Sequence, residues 1–332
     1  MSALEARDLA IGYRRRKVLD HLDLTLETGE LVCLLGPNGT GKSTLLQTLG
    51  GMLPALEGDI LIDGSAIAAM SAAERARRLA TVLTEKVEVG SLLARQLVEL
   101  GRYPHTNWSG LLGVHDRRVV DRAIGMVDAA HLAERDVNEL SDGERQRLMI
   151  ARALAQEPKV LLLDEPSAFL DVSARVEIMA MLRQLARENS VAVIVSSHDL
   201  EQSLRFADTI WLINETGECH TGAPEDLLAD GTIGQTFATD RVDFESRDRS
   251  FHLRRWPQAL ASLDGTPEKR ALAESVLRRE GFGVVEAREQ PSLSISLLDA
   301  GWTADMSGVR GQGATFGDLA RFLRKGNRQA TK

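Results

Sequence analysis

"LLGPNGTGKSTLLQTLG", Leu34 to Gly50, decides the reading of this chain. Apolar residues run into a loop of Gly, Pro, Asn and Thr, which ends in Lys42-Ser43-Thr44 and opens at once onto a helix-like pattern. The spacing Gly36-x-x-x-x-Gly41-Lys42-Ser43 is that of a phosphate-binding loop. Glycines allow the positive backbone angles that let successive N–H groups converge on one anion. A helix starting at Lys42 adds its positive dipole end to the same point. Gly36, Pro37, Asn38, Gly39, Thr40, Gly41, Lys42, Ser43 and Thr44 are therefore the candidate cradle of a nucleoside triphosphate. Within it Lys42 reaches the terminal phosphates and the Ser43 hydroxyl is a magnesium ligand. The flanks fit, because "ELVCLL" (Glu30 to Leu35) reads as a buried strand and "STLLQTLG" (Ser43 to Gly50) as a helix.

The remaining composition narrows the class. The chain has 332 residues, 43% hydrophobic and 27% charged, a globular balance with length for a sizeable core. A net charge of −8 argues against the broad basic face of a nucleic-acid binder, and "RRRK" (Arg14 to Lys17) reads as a solvated turn. Cys33 lies inside an apolar strand and Cys219 is the only other cysteine, so a reducing compartment without disulfides is expected. No apolar run approaches the ~18 residues of a membrane span and no signal peptide opens the chain. Any membrane role is thus expected through a partner.

Along the chain, "LEARDLAIGY" (Leu4 to Tyr13), "LDLTLETGELVCLL" (Leu22 to Leu35), the hairpin-like "GDILIDG" (Gly58 to Gly64) and "ARRLATVLTE" (Ala76 to Glu85) read as strands. The pattern is then mostly helical to Glu157, interrupted at "GRYPHTNWSGLLG" (Gly101 to Gly113). "KVLLLDEP" (Lys159 to Pro166) and "VAVIVSSHD" (Val191 to Asp199) are strongly apolar strands around the helical "SARVEIMAMLRQLARE" (Ser173 to Glu188). This alternation implies an α/β fold with a parallel sheet covered on both faces. "TIWLINETGECHTG" reads as a hairpin turning at Asn214 to Gly217. In such sheets the carboxyl ends of strands line the ligand crevice. Asp164 is then placed to hold magnesium and Glu165 to orient or deprotonate an attacking water.

"ELSDGERQRLMIARALAQ" (Glu139 to Gln156) opens with Ser141 and Glu144 as a capping box. Here the chain resembles ATP-binding-cassette ATPases. "LSDGE" (Leu140 to Glu144) is similar to that family's signature, usually LSGGQ, and "SAFLD" (Ser167 to Asp171) to the loop after its catalytic glutamate. His198 resembles its switch histidine, and Tyr13 the aromatic residue that stacks on adenine. Four motifs in family order cover residues 1 to about 235. The resemblance implies a P-loop NTPase fold: a RecA-like core, an N-terminal antiparallel β subdomain and a helical subdomain at about 86–158. It implies ATP and Mg2+ as cofactors and a head-to-tail homodimer in which Ser141, Gly143 and the amide groups after them meet the terminal phosphate bound by the other copy, with Glu144 and Asp171 also among the expected nucleotide-binding residues. "LVELGRYPHTNW" (Leu97 to Trp108) resembles the segment of iron-siderophore, haem and vitamin B12 importers that receives the permease. The implied protein is a peripheral ATPase on the cytoplasmic face of the inner membrane, bound to permease subunits and served by a solute-binding protein.

The chain departs from the family at Glu85, where glutamine is usual and where a carboxylate is expected as a magnesium-side ligand. It departs again at Asp142 and Glu144, whose charges should turn away from triphosphate or be neutralised by Arg145, Arg147 or magnesium. A soluble cassette ATPase acting on nucleic acid or ribosomes is the alternative, against which stand one phosphate loop, no long heptad run and negative charge. A small-molecule kinase would leave "LSDGE" and His198 without a role. Residues 236–332, outside the resemblance, read as a small α+β domain. "SFHLR", "GFGVVEA" and "SLSISLLDAGW" are its expected strands, and "TFGDLARFLRK" its closing helix. "TPEKRALAESVLRREG" is a helix with Thr266 as cap, Pro267 in its first turn and Gly281 as stop. Without a metal-ligand cluster and with His252 standing alone, a dimer contact is expected of this domain rather than metal sensing.

Overall fold

The structure is a computed structural model that describes residues 1–14, 16–83, 90–106, 110–239, 242–245, 250–253, 259–285 and 291–330. They divide into two compact units, Met1–Thr239 with Asp243–His252, and Asp240–Val242 with Leu253–Lys332.

The first unit starts with β1 (Ser2–Tyr13) and β2 (Arg16–Glu27), paired antiparallel, with Leu22, Leu24 and Leu26 alternating into the core. The apolar pattern from Leu22 to Leu35 is two strands. It breaks at Gly29, whose φ of 80° turns the chain so that β3 (Leu31–Leu35) joins a different sheet. The glycine loop leads into α1 (Lys42–Leu49). Next, β4 (Glu57–Ile62) returns beside β1, and β5 (Ser65–Ala66) follows a two-residue turn. Asp63 and Gly64 both have positive φ (48° and 70°) there, as a tight hairpin requires. This sheet has the order β2-β1-β4-β5.

"ARRLATVLTE" is part helix. Ala76 to Arg78 finish α2 (Ala72–Arg78), and the strand β6 is only Leu79–Val82. The helix exists because Ser71 and Glu74 form a reciprocal capping box. Then come α3 (Ala94–Glu99), a 3-10 segment Leu100–His105, α4 (Val114–Met126) and α5 (Asp142–Leu154), as expected of the helical region. The chain continues through β7 (Val160–Asp164), α6 (Val172–Asn189), β8 (Ala192–Ser196), α7 (Leu200–Phe206), β9 (Thr209–Ile213), β10 (Cys219–Gly222), α8 (Pro224–Ala229) and α9 (Thr232–Phe237). The second sheet runs β10-β9-β3-β8-β7-β6, all parallel except the antiparallel edge β10. Its centre is covered on both faces. Leu31, Cys33 and Leu35 of β3 join one apolar cluster, while Val32 and Leu34 join the other.

β11 (Val242–Glu245) pairs with β12 (Ser250–Leu253). Phe251 packs against Phe237 and Phe244 at ring-centroid distances of 5.9 and 5.2 Å, and the latter two rest on the first unit's core. Phe237, Phe244 and Phe251 thus all belong to the first unit.

The second unit contains β13 (Ala259–Asp264), α10 (Pro267–Arg279), β14 (Phe282–Val285), β15 (Leu293–Leu298), β16 (Gly301–Met306), β17 (Val309–Gly313) and α11 (Phe316–Ala330). β13 lies parallel to β14 and β15, and β15 to β17 form an antiparallel meander. "SLSISLLDAGW" is a hairpin instead of one strand, turning at Asp299-Ala300. Leu293, Ile295 and Leu297 point alternately into a core shared with Leu277 of α10 and Leu319 and Leu323 of α11. Thr266 occupies the cap position of α10, but its side chain makes no capping bond; Pro267 and Gly281 (φ 87°) bound the helix as expected.

Candidate active site

The phosphate loop hangs between the end of buried β3 and the first turn of α1. At Gly36 (φ 149°) a Cβ would stand 2.3 Å from the carbonyl oxygen of Ile213, so only glycine lets the loop press against the end of β9. Thr40 Oγ1 donates to Pro37 O at 3.0 Å, bracing the tip that exposes Asn38 and Gly39. Lys42 is buried, and its Nζ donates to Gly36 O and Pro37 O at 2.8 and 2.9 Å. Burial pushes its ammonium pKa down, and the negative charges of Glu165 and Asp164 oppose that shift. The loop thus holds one desolvated cation close to two acids.

Those acids arrive as the sheet topology dictates. Asp164 ends β7, and Ser43 Oγ donates to its Oδ1 at 3.4 Å. Ser196, buried at the end of neighbouring β8, also donates to Asp164 Oδ1. The same Ser196 Oγ accepts from Glu165 N–H at 3.0 Å. Glu165 takes a left-handed backbone (φ 49°), uncommon for a side chain of its kind and of a sort concentrated at active sites. Its Oε1 lies 2.5 Å from His198 Nε2, and both side chains are partly exposed. Lys42, Ser43, Asp164, Glu165 and His198 therefore converge on one site. Ser196 was not anticipated; a hydroxyl ending an otherwise apolar strand was its only signal in "VAVIVSSHD".

Ser43 Oγ and Asp164 Oδ1 suit a magnesium ion. Magnesium takes one or two protein oxygens and completes its shell with water and phosphate, and these two side chains would supply the protein oxygens. Among the described residues no group of three or more His, Cys, Asp or Glu could hold a metal by itself. Glu85 lies outside the described residues. Tyr13 OH is 3.4 Å from Thr44 Oγ1, and its half-exposed ring flanks the start of α1.

The second group lies on other helix starts. Ser141 caps α5, and Glu144 Oε2 accepts from Ser141 N and Oγ at 2.9 and 2.8 Å. The cation beside Glu144 is Arg135, at 3.6 Å. The expected partners are engaged elsewhere: Arg145 donates to Val137 O and Arg147 binds Glu177. Asp171 caps α6, accepting from Ala174 N and Ser173 Oγ, both at 2.8 Å. Among the described residues Ser141, Gly143, Glu144 and Asp171 make no hydrogen bond to the phosphate loop of their own chain.

The backbone and hydroxyl bonds from Ser141 lower the Glu144 pKa, so the charged form is tied to the folded state. Glu144→Ala should lower stability by about 1 kcal/mol at neutral pH through the lost bonds. The difference from wild type should shrink as pH falls from the ordinary glutamate value through the lowered one of the folded state, where the carboxylate of the wild type is itself protonated. Paired thermal melts followed from pH 7 down to acid below the ordinary glutamate range check this; a constant difference would assign the effect to packing.

A profile of the family described as "ABC transporter" matches residues 19–168. The achromobactin transport ATP-binding protein of Dickeya dadantii is 37% identical over 240 residues, 72% of this chain and 89% of the relative. The cobalamin import ATP-binding protein of Halobacterium salinarum is 39% identical over 234 residues, 70% of this chain and 58% of the relative. A chain from a metal-chelate type ABC transporter in an inward-facing conformation superimposes with a TM-score of 0.62 at 28% identity, covering 71% of this chain and 88% of its own length.

Proposed function

Because the chain belongs to the ABC transporter ATP-binding proteins, we propose that it is the energy-coupling subunit of an importer of metal chelates, iron–siderophore complexes or cobalamin. It is an ATPase of that family, and the cluster of Lys42, Ser43, Asp164, Glu165 and His198 carries the reading.

Lys42 and the loop N–H groups hold the terminal phosphates, while Ser43 and Asp164 hold magnesium, which when bound neutralises charge on the phosphates. Glu165 orients the attacking water and accepts its proton, and His198 fixes the carboxylate through Oε1. The ring of Tyr13 supplies a face for adenine. A second copy, in head-to-tail orientation, brings Ser141 and Gly143 at the start of α5 to the opposite end of the nucleotide. Glu144 is held on its own cap by Ser141.

Leu100, Tyr103, Leu111 and Val114 expose apolar surface in and beside the segment Leu100–His105, which supports a permease as the partner at that face. No helix among the described residues is long and apolar enough to cross a membrane, in keeping with a peripheral subunit at the cytoplasmic face. The second unit is then an accessory body that tunes contact between the two copies.

Uptake of a radiolabelled ferric siderophore and of cobalamin should be compared in cells whose only copy carries Glu165→Gln. Loss of one uptake supports the reading and names the solute class. Retention of both would remove the chain from these imports.

A further inference from the structure

Two long cationic side chains are buried among the described residues, Lys42 and Arg102. The nucleotide site explains the first and leaves the second unassigned. A guanidinium 1% exposed needs compensating partners, and Arg102 has three on different elements. Its Nε donates to Asp116 Oδ1 at 2.9 Å, in the first turn of α4. Its Nη1 donates to Ala155 O at 2.7 Å, the C-cap carbonyl of α5, and to Glu157 Oε2 at 2.9 Å, on the turn into β7.

The neighbours of Arg102 make the same connection. At Gly101 a Cβ would stand 2.1 Å from Arg152 O, so this glycine lets the segment lie directly on the last turn of α5. His105 Nε2 lies 2.9 Å from Gln156 O, while a separate bond from Arg77 Nε to Pro104 O, at 2.8 Å, ties the segment to α2. Leu100 and Tyr103, 54% and 80% exposed, stand on the outer side of this clamped segment.

We propose that Arg102 is a positioning residue that makes the exposed segment Leu100–His105 one rigid body with α5 and the turn into β7. Resting on the permease reading above, this gives a load at Leu100 and Tyr103 two direct outlets. One is α5, a rod of 13 residues and about 20 Å whose far end carries Ser141. The other is β7, whose far end carries Asp164 and adjoins Glu165. Coupling of this kind is reciprocal, so nucleotide at the site must in turn change the segment.

That reciprocity gives a test on the full chain without any membrane partner. Amide hydrogen exchange is followed over residues 100–106 with and without Mg–ATP in a Glu165→Gln background, which keeps the nucleotide intact. Nucleotide should slow exchange in the segment by about 10-fold. Adding Arg102→Met should abolish that response while protection at residues 36–43 persists. Glu157→Ala removes one acceptor at a partly exposed position and should roughly halve the response, giving a readout should Arg102→Met fold poorly. An unresponsive segment in the Glu165→Gln chain, or an undiminished response in both added variants, overturns the assignment. Neither outcome depends on whether a permease binds, which the uptake measurement addresses separately.

Discussion

Glu165→Gln should retain ATP binding and lose roughly 10²-fold or more in turnover, because general-base assistance is worth that much. The side chain is nearly isosteric, and the backbone at this position (φ 49°) is held by bonds from its own N–H to Ser196 O and Oγ, which the substitution leaves in place. The fold of the site therefore survives while the proton acceptor is gone. Steady-state phosphate release, with nucleotide affinity measured in parallel, separates the two effects. The variant should also accumulate as an ATP-bound dimer on size exclusion. Undiminished hydrolysis would take Glu165 out of the reaction and leave His198 as the nearer candidate.

Lys42→Met acts on the other half of the chemistry. Charge-assisted hydrogen bonds contribute roughly 1.5–3 kcal/mol, so affinity for ATP should fall roughly 10- to 100-fold. The variant should nevertheless melt close to wild type, because burial already disfavours the ammonium and methionine fills a similar volume. Calorimetric titration with Mg–ATP, beside a thermal melt, distinguishes lost recognition from lost fold. An unchanged dissociation constant would mean that the backbone N–H groups alone hold the phosphates.

The parts of this site legible in the sequence are those where a local pattern carries the chemistry. Gly36 to Ser43 and Asp164-Glu165 are contiguous, and each lies at the end of an apolar run that can only be a buried strand. Ser141 and Glu144 were readable as a cap because a helical pattern follows them. The same spacing at Ser71 and Glu74 is overshadowed by the apolar Leu79 to Val82, which make the stretch from Ala76 look extended. Turns were the weaker signal. Asp299-Ala300 makes a hairpin of what reads as one strand. β13 and β17 carry no clear strand signal, the latter because "VRGQG" lacks the side chains that mark strands. Ser196 and Arg102 were beyond reach for a different reason. Their importance comes from partners 32 and 14 to 55 positions away, which only the assembled fold brings near.

The close approach of Gly36 to Ile213 has a consequence for how the protein is made. β3 is flanked by β8 and β9, so Leu31 to Leu35 find their neighbours only some 160 to 180 positions later in the chain. A ribosome that has synthesised the glycine loop has not yet synthesised the surface that shapes it. Closing so long a span is slow relative to local helix formation. The emerging chain thus carries a fully apolar strand without its sheet until β9 appears, which exposes it to chaperones or to its own aggregation. The loop reaches its packed form, with Gly36 against the carbonyl of Ile213, only in a chain whose synthesis has passed Ile213, so the shape of the phosphate cradle is a late product of the nascent protein.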